Sequence, residues 1–430
     1  MTERDGGAPP HPGFAQAASP TGAASRARQH GPAGNPASGS RSRRELHAVL
    51  AAGIAGVAAF LVALVVLQGG THPIGGTGSV ARVAAWLTGS AAGIAFTVAH
   101  LRSDAPLPML SRHLLRTVRV TATGSIALVC FGLGYLAALS LGEIFQAGFV
   151  GLELDTFGGA LACAIAAGAA AYLAHPLGDD VSTGTLGALV PTFLVVGVLF
   201  SMLTASDPDW WQLHFSELGA GGGLSGFAFN MTLVLSGLLV ATMGVYVRAD
   251  LDRATGRSGS RGSRWVGLLL ALIGACMTLT GLVRVDVAEW LHIAFASGMV
   301  VVFIVLCAAL PRLAPRLPAA VHLVSAAMVA GTIVALVLWV PVGYYNFTGF
   351  EFAACGLIFV WLSVFVRAIE AAAADRDALR ADAQAGRADT QAGRADAQAG
   401  RADAVAGPVV DGQAGADPAA DAAAGSTSQA

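Results

Sequence analysis

The sequence predicts an all-α protein: a polytopic membrane bundle of about ten transmembrane helices, arranged as four plus six, with disordered cytoplasmic tails. Three observations predict it. Only 12% of residues are charged and 55% are hydrophobic, with a mean hydropathy of +0.64, whereas soluble domains carry roughly 25% charged residues. Ten apolar runs each approach the roughly 20 residues that cross a hydrocarbon core about 30 Å thick. Arginine, finally, alternates between loops in step with those runs.

Taken in order, residues 1–45 are rich in Pro, Gly, Ser and Ala and show no apolar period. Such a segment cannot bury enough surface to offset its ordering entropy and is expected to be disordered. It is no signal peptide, because the first apolar run starts only at Leu46 and is too long. The runs are Leu46–Gln68, Ala81–Leu101, Val120–Leu141, Phe157–Ala174, Leu186–Ala205, Gly226–Val247, Trp265–Val283, Trp290–Leu310, Ala319–Val340 and Ala353–Ile369. The fourth is short and alanine-rich. The first four make a four-helix region over 46–180 and the last six a region over 181–372. Residues 373–430 contain the heptads "RADAQAG", "RADTQAG" and "RADAQAG", with arginine at 380, 387, 394 and 401. A coiled coil needs larger apolar residues than alanine, and each heptad carries a helix-weakening glycine, so a solvated low-complexity tail is expected.

The arginines set the threading. Arg41, Arg43 and Arg44 precede span one; Arg102, Arg112, Arg116 and Arg119 follow span two. Arg248, Arg253, Arg257, Arg261 and Arg264 separate spans six and seven, Arg312 and Arg316 separate eight and nine, and Arg367 ends span ten. All fall on one side of a ten-span chain, and the opposite loops hold only Arg82 and Arg284. The positive-inside rule then puts both termini in the cytoplasm. The acidic loop after span four is the exception. The outer loops hold Glu143, Glu153, Asp155, Asp207, Asp209 and Glu289, with Trp210, Trp211, Tyr344 and Tyr345 where amphipathic rings settle. All 25 basic residues are arginine, which with the alanine and glycine content indicates a GC-rich bacterial source and a plasma-membrane location. The net charge of −2 gives no basis for nucleic-acid binding. Cys130, Cys163, Cys276, Cys307 and Cys355 lie in apolar runs without metal-ligand spacing, as small packing residues do.

Three stretches carry a family resemblance: "HFSELGAGGGLSGFAFNMTLVLSGLL" entering span six, "TGLVRVDVAEWLHIAFA" joining spans seven and eight, and "NFTGFEFAACGLIFVWLSVFVR" in span ten. A polar ELG-type loop, an Asn in the next helix, a short charged turn and Leu-His in the following helix occur in that order. The pattern is similar to the bacterial DUF998 membrane proteins and, more faintly, to the Frag1/DRAM/Sfk1 group of six-span proteins. The resemblance covers about residues 186–370. It implies a six-helix membrane unit of uncharacterised function and no catalytic mechanism.

Polar groups at the bilayer edge are the informative ones, because charge inside hydrocarbon costs at least about 2.5 kcal/mol. His214, Glu217, Asn230, Arg284, Asp286, His292 and Glu351 all reach the outer side by this topology. One reading is an ordinary wet membrane edge, with Arg284 paired to Asp286 or Glu351 and His292 bonded to a carbonyl. The other is an outward-facing polar pocket formed by these seven as ligand-binding residues. His214, Glu217, Asp286 and His292 could each ligate zinc, but no H-E-x-x-H spacing unites them, so no metal is assigned. "GGGLSG" is neither a nucleophile elbow nor a P-loop, so no catalytic residue and no cofactor is assigned. Gly221, Gly222 and Gly223 are expected to turn the chain into span six. Gly89 and Gly93 form a G-x-x-x-G in span two, suited to close helix packing. Pro191 falls inside span five, and Asn346 begins an "NFT" sequon that means little in a bacterial protein. The favoured role is a non-enzymatic bundle that binds a lipid or small-molecule ligand, or scaffolds partners, in the bilayer. The alternatives are a secondary transporter, which this chain's nearly charge-free span centres disfavour, and an envelope lipid-modifying enzyme.

Overall fold

The computed structural model describes residues 36–103, 112–256 and 259–405. Residues 1–35 and 406–430, most of the expected N-terminal tail and the last part of the C-terminal one, lie outside them, as do the side chains of Arg41, Arg112, Arg116, Arg119 and Arg257. Ten described helices are long and apolar enough to cross a membrane. They are α1 (Pro36–Val66), α2 (Val80–Arg102), α3 (Arg112–Gly148), α4 (Thr156–Asp179), α5 (Thr183–Leu203), α6 (Leu224–Thr255), α7 (Arg261–Leu282), α8 (Glu289–Leu313), α9 (Ala319–Trp339) and α10 (Phe347–Val405). Each coincides with one of the ten expected runs, the short fourth included; α1, α5, α7 and α9 stop one or two residues before the run does. The only strands among the described residues are β1 (His72–Pro73) and β2 (Glu153–Leu154), two residues each and antiparallel.

Helix ends follow capping chemistry. Ser79, Asp155, Ser182 and Ser260 each accept the backbone N–H three residues on, at the starts of α2, α4, α5 and α7. The helices also outrun the apolar segments. Helix α1 begins inside the expected N-terminal tail. Helix α10 continues through the heptads to Val405, so the described part of the low-complexity segment expected from 373 is helical. Alanine, arginine and glutamine favour helix at every heptad, and one glycine per repeat costs only about 1 kcal/mol. Side chains 374–398 are nonetheless all exposed, so the segment is solvated as expected.

Alternate loops meet at opposite ends of the bundle formed by His47 onward. At one end, the α5–α6 loop bonds to α8 and α10. At the other, Thr183 Oγ1 donates to buried Asp250 at 2.6 Å, and Gly184 N donates to Glu370 at 2.5 Å. Arg248, Arg253, Arg261, Arg264, Arg312, Arg316 and Arg367 belong to this second end. One apolar core runs through α2–α10, including Phe96, Phe193, Met243, Leu270, Phe303 and Trp361. Trp361 stacks on Phe365 at 4.4 Å and donates its indole N–H to Ser325 Oγ at 2.9 Å, satisfying a polar group deep in apolar surroundings.

Small residues set the helix spacing. Gly89 and Gly93 of α2 face the Phe131 and Ala127 carbonyls of α3, so the G-x-x-x-G serves packing within the chain. Helices α6 and α7 approach more extensively. A Cβ on Gly237 would lie 2.5 Å from Gly274 O, and the reverse contact is as close. Gly244 and Gly267 oppose each other in the same way at 2.7 and 2.8 Å. Real Cβ atoms do not come that near, so only glycine fits this crossing. The close crossing fixes the polar ends of α6 and α7 relative to each other.

Candidate functional site

The loop between α5 and α6 is built from two 3-10 turns, Trp210–Gln212 and Phe215–Gly219. Asp207 Oδ1 accepts Asp209 N at 2.8 Å, and Asp209 in turn accepts Gln212 Nε2 at 2.9 Å, which starts the first turn. Glu217 N donates to His214 O at 3.1 Å, so the expected turn joining His214 to Glu217 is formed. Gly221 then adopts φ +76°, a left-handed conformation that glycine accepts without strain, and the chain enters α6. Among the three expected turning glycines it alone needs that freedom. Trp210 packs on Phe215 at 5.4 Å between ring centroids, and Phe215 stacks on Phe352 of α10 at 6.4 Å.

The polar residues singled out by sequence gather here, on the backbone of the loop. Glu351, from the first turns of α10, accepts Phe215 N at 2.6 Å. Asp286, between α7 and α8, accepts Gly221 N at 3.3 Å. Asn230, buried in α6, donates to Gly219 O at 2.9 Å. His292, 2% exposed at the start of α8, lies 2.6 Å from Val283 O through Nδ1 and 2.8 Å from Ser216 Oγ through Nε2. A carbonyl only accepts, so in the neutral ring Nδ1 carries the proton and Nε2 accepts from the Ser216 hydroxyl. Arg284 forks onto Asp286, with Nε–Oδ1 at 3.0 Å, and holds that carboxyl below the usual carboxylate range. Both bonds of the wet-edge reading, Arg284 to Asp286 and His292 to a carbonyl, are thus present.

Two of the seven stand apart. The Glu217 carboxylate is half-buried and has no hydrogen-bond or ion-pair partner among the described residues. His214 lies edge-on to Phe347 at 6.5 Å, and its Nδ1 is buried without a partner among the described residues. Among the described residues, no three His, Cys, Asp or Glu side chains stand close enough to hold a metal ion.

Sequence reasoning missed three members of this constellation. Ser216 sits inside the quoted "HFSELG" but shows its role only once α8 brings His292 to it. Ser225 donates to Ser201 O at 2.8 Å, tying the start of α6 to the end of α5. Asn346, discounted as a sequon, accepts Gly349 N at 3.1 Å through Oδ1 and donates to Trp211 O at 2.6 Å. Its signal was legible: an Asn directly before a helix, with its side chain on the third residue's N–H, is an N-cap.

Comparison with known proteins adds one finding. The family model described as "Protein of unknown function (DUF998)" matches residues 188–368. No curated protein and no solved structure matches the chain. The match begins within α5 and ends within α10, so it contains the clamped loop and every side chain that holds it. This is a multi-pass membrane protein whose last six spans match the DUF998 family of unknown function, with spans one to four outside the match.

Proposed function

We propose that the protein is a non-enzymatic plasma-membrane bundle of a bacterium that binds a lipid-like ligand beneath its outer loop. The observation that supports it is the division of labour among the seven polar residues. Asn230, Asp286, His292 and Glu351 are committed to backbone or hydroxyl groups of the loop, while Glu217 and His214 keep unpartnered polar atoms beside it. The half-buried Glu217 carboxylate is free to accept from a donor that the loop itself does not supply. The matching ligand carries ammonium or hydroxyl donors on an apolar body, as an amine-bearing phospholipid does. The loop acts as a latch: the ligand's headgroup meets Glu217 when the loop lifts from α8 and α10.

Glu217→Gln tests this directly. The purified full chain should bind phosphatidylethanolamine in native mass spectrometry, and the variant should bind roughly tenfold more weakly, the size of a charge-assisted hydrogen bond. Its thermal stability should be unchanged. Equal binding by both forms would remove the reading. The arginine pattern supports a cytoplasmic placement of the α6–α7 turn. Reporter fusions in that turn should then be active only in the cytoplasm, and fusions at Trp211 only outside.

The Ser216–His292 bond gives a second reading its specific support. A hydroxyl donating to an imidazole whose other nitrogen is fixed by a carbonyl is the arrangement of an activated serine nucleophile. Covalent labelling of Ser216 by a fluorophosphonate, abolished by His292→Gln, would favour an envelope lipid-modifying enzyme. The absence of labelling leaves the binding role.

A further inference from the structure

The opposite end of the molecule holds a second group of polar side chains with no role in the latch. An open surface groove lies beside the α6–α7 turn, lined by Gly259, Arg261, Arg264, Trp265 and Leu268. The last four occur at i, i+3, i+4 and i+7 of α7, a spacing that places them on one helix face. All four are exposed, and exposed Leu272 continues the stripe toward the middle of the span. Read from the helix start inward, the stripe runs cation, cation, indole, aliphatic, aliphatic. A glycerophospholipid has the same order, with an anionic phosphate, an interfacial glycerol region and an acyl chain.

Charge makes the match specific. Guanidinium groups three residues apart on a helix repel each other. Neither Arg261 nor Arg264 forms an ion pair among the described residues. The carboxylate closest to the turn, Asp252, is committed elsewhere: it accepts Gly259 N at 2.8 Å, Ser260 N at 3.3 Å and Ser263 Oγ at 2.5 Å. The positive end of the α7 dipole adds to both cations instead of offsetting them. Below them, Trp265 (45% exposed) and Leu268 (55%) present apolar surface that a free anion would leave unmatched.

We infer that this face of α7 is a binding site for an anionic phospholipid, with its phosphate between Arg261 and Arg264 and its acyl chain along Trp265, Leu268 and Leu272. The site is independent of the ligand reading at the other end and stands or falls separately.

The test uses the full chain in detergent, titrated with phosphatidylglycerol, phosphatidylcholine or inorganic phosphate and followed by native mass spectrometry. Phosphatidylglycerol should bind preferentially, and R261Q/R264Q should weaken it roughly thirtyfold, the effect of two interfacial arginines. Phosphatidylcholine binding should stay the same. R261K/R264K should retain most of the preference, and Arg82→Gln, at the other end, all of it. If R261Q/R264Q does not fold, Arg264→Gln alone should show a loss of roughly fivefold. The inference is overturned if the glutamine variants keep wild-type affinity for phosphatidylglycerol or if phosphatidylcholine binds as well. It is also overturned if inorganic phosphate at equal concentration displaces the lipid, which would identify the occupant as a free anion.

Discussion

Replacing His292 with alanine is expected to lower the stability of the detergent-solubilised protein by about 2–4 kcal/mol. The ring is 2% exposed and satisfies two groups at once, the Val283 carbonyl that ends α7 and the Ser216 hydroxyl of the loop. Removing it leaves both without their partner, at about 1–3 kcal/mol per buried group, and opens a cavity as well. The conservative variants separate the two bonds. Asparagine can keep a donor near the Nδ1 position and glutamine an acceptor near Nε2, so each should lose less than alanine. Thermal unfolding monitored by tryptophan fluorescence checks the order. A His292→Ala protein as stable as wild type would mean that the two hydrogen bonds contribute nothing.

The second large effect is expected at the crossing of α6 and α7. Gly274→Val puts three carbons where even a Cβ meets the Gly237 carbonyl and the Ala241 backbone. The two helices must separate, since neither backbone can give way alone, and overpacking of this kind costs about 1–3 kcal/mol or more. We expect at least about 3 kcal/mol and a steep fall in the yield of folded protein. Gly53→Val, where an added Cβ meets nothing within 4 Å, is the matched control and should be nearly neutral. Equal melting temperatures for the two variants would contradict the close crossing.

The fold was largely legible because the bilayer reduces it to a question of length. A run of about 20 apolar residues must be helical there, since no water satisfies its backbone. Helix ends were less legible for the same reason. Beyond the hydrocarbon, the apolar pattern stops while the helix need not: α6 continues eight residues past Val247 through Arg248, Asp250, Asp252 and Arg253 to Thr255. In the heptads of α10 the helix likewise runs on, with alanine's preference outweighing one glycine per repeat.

At the outer loop, the residue types were legible and their partners were not. Glu351 and Asp286 stood out as carboxylates at the membrane edge. What they bind is the N–H of Phe215 and of Gly221, and a backbone amide leaves no mark in a sequence. Glu351 and Phe215 are 136 residues apart, and their bond exists only because α10 packs beside α5 and α6. Ser216 is the converse case: an ordinary serine until α8 supplies an imidazole.

The central claim is that these side chains latch the α5–α6 loop onto α8 and α10. Hydrogen exchange of residues 210–223, followed by mass spectrometry on the full chain in a phospholipid nanodisc, tests it most directly. The account predicts that the amides of Phe215 and Gly221 are protected in the wild type. In Glu351→Ala, protection at Phe215 should fall by roughly fivefold, as loss of one hydrogen bond implies, while α6 and α8 exchange as before. Free exchange of both amides in the wild type, or unchanged protection of Phe215 in the variant, would contradict it.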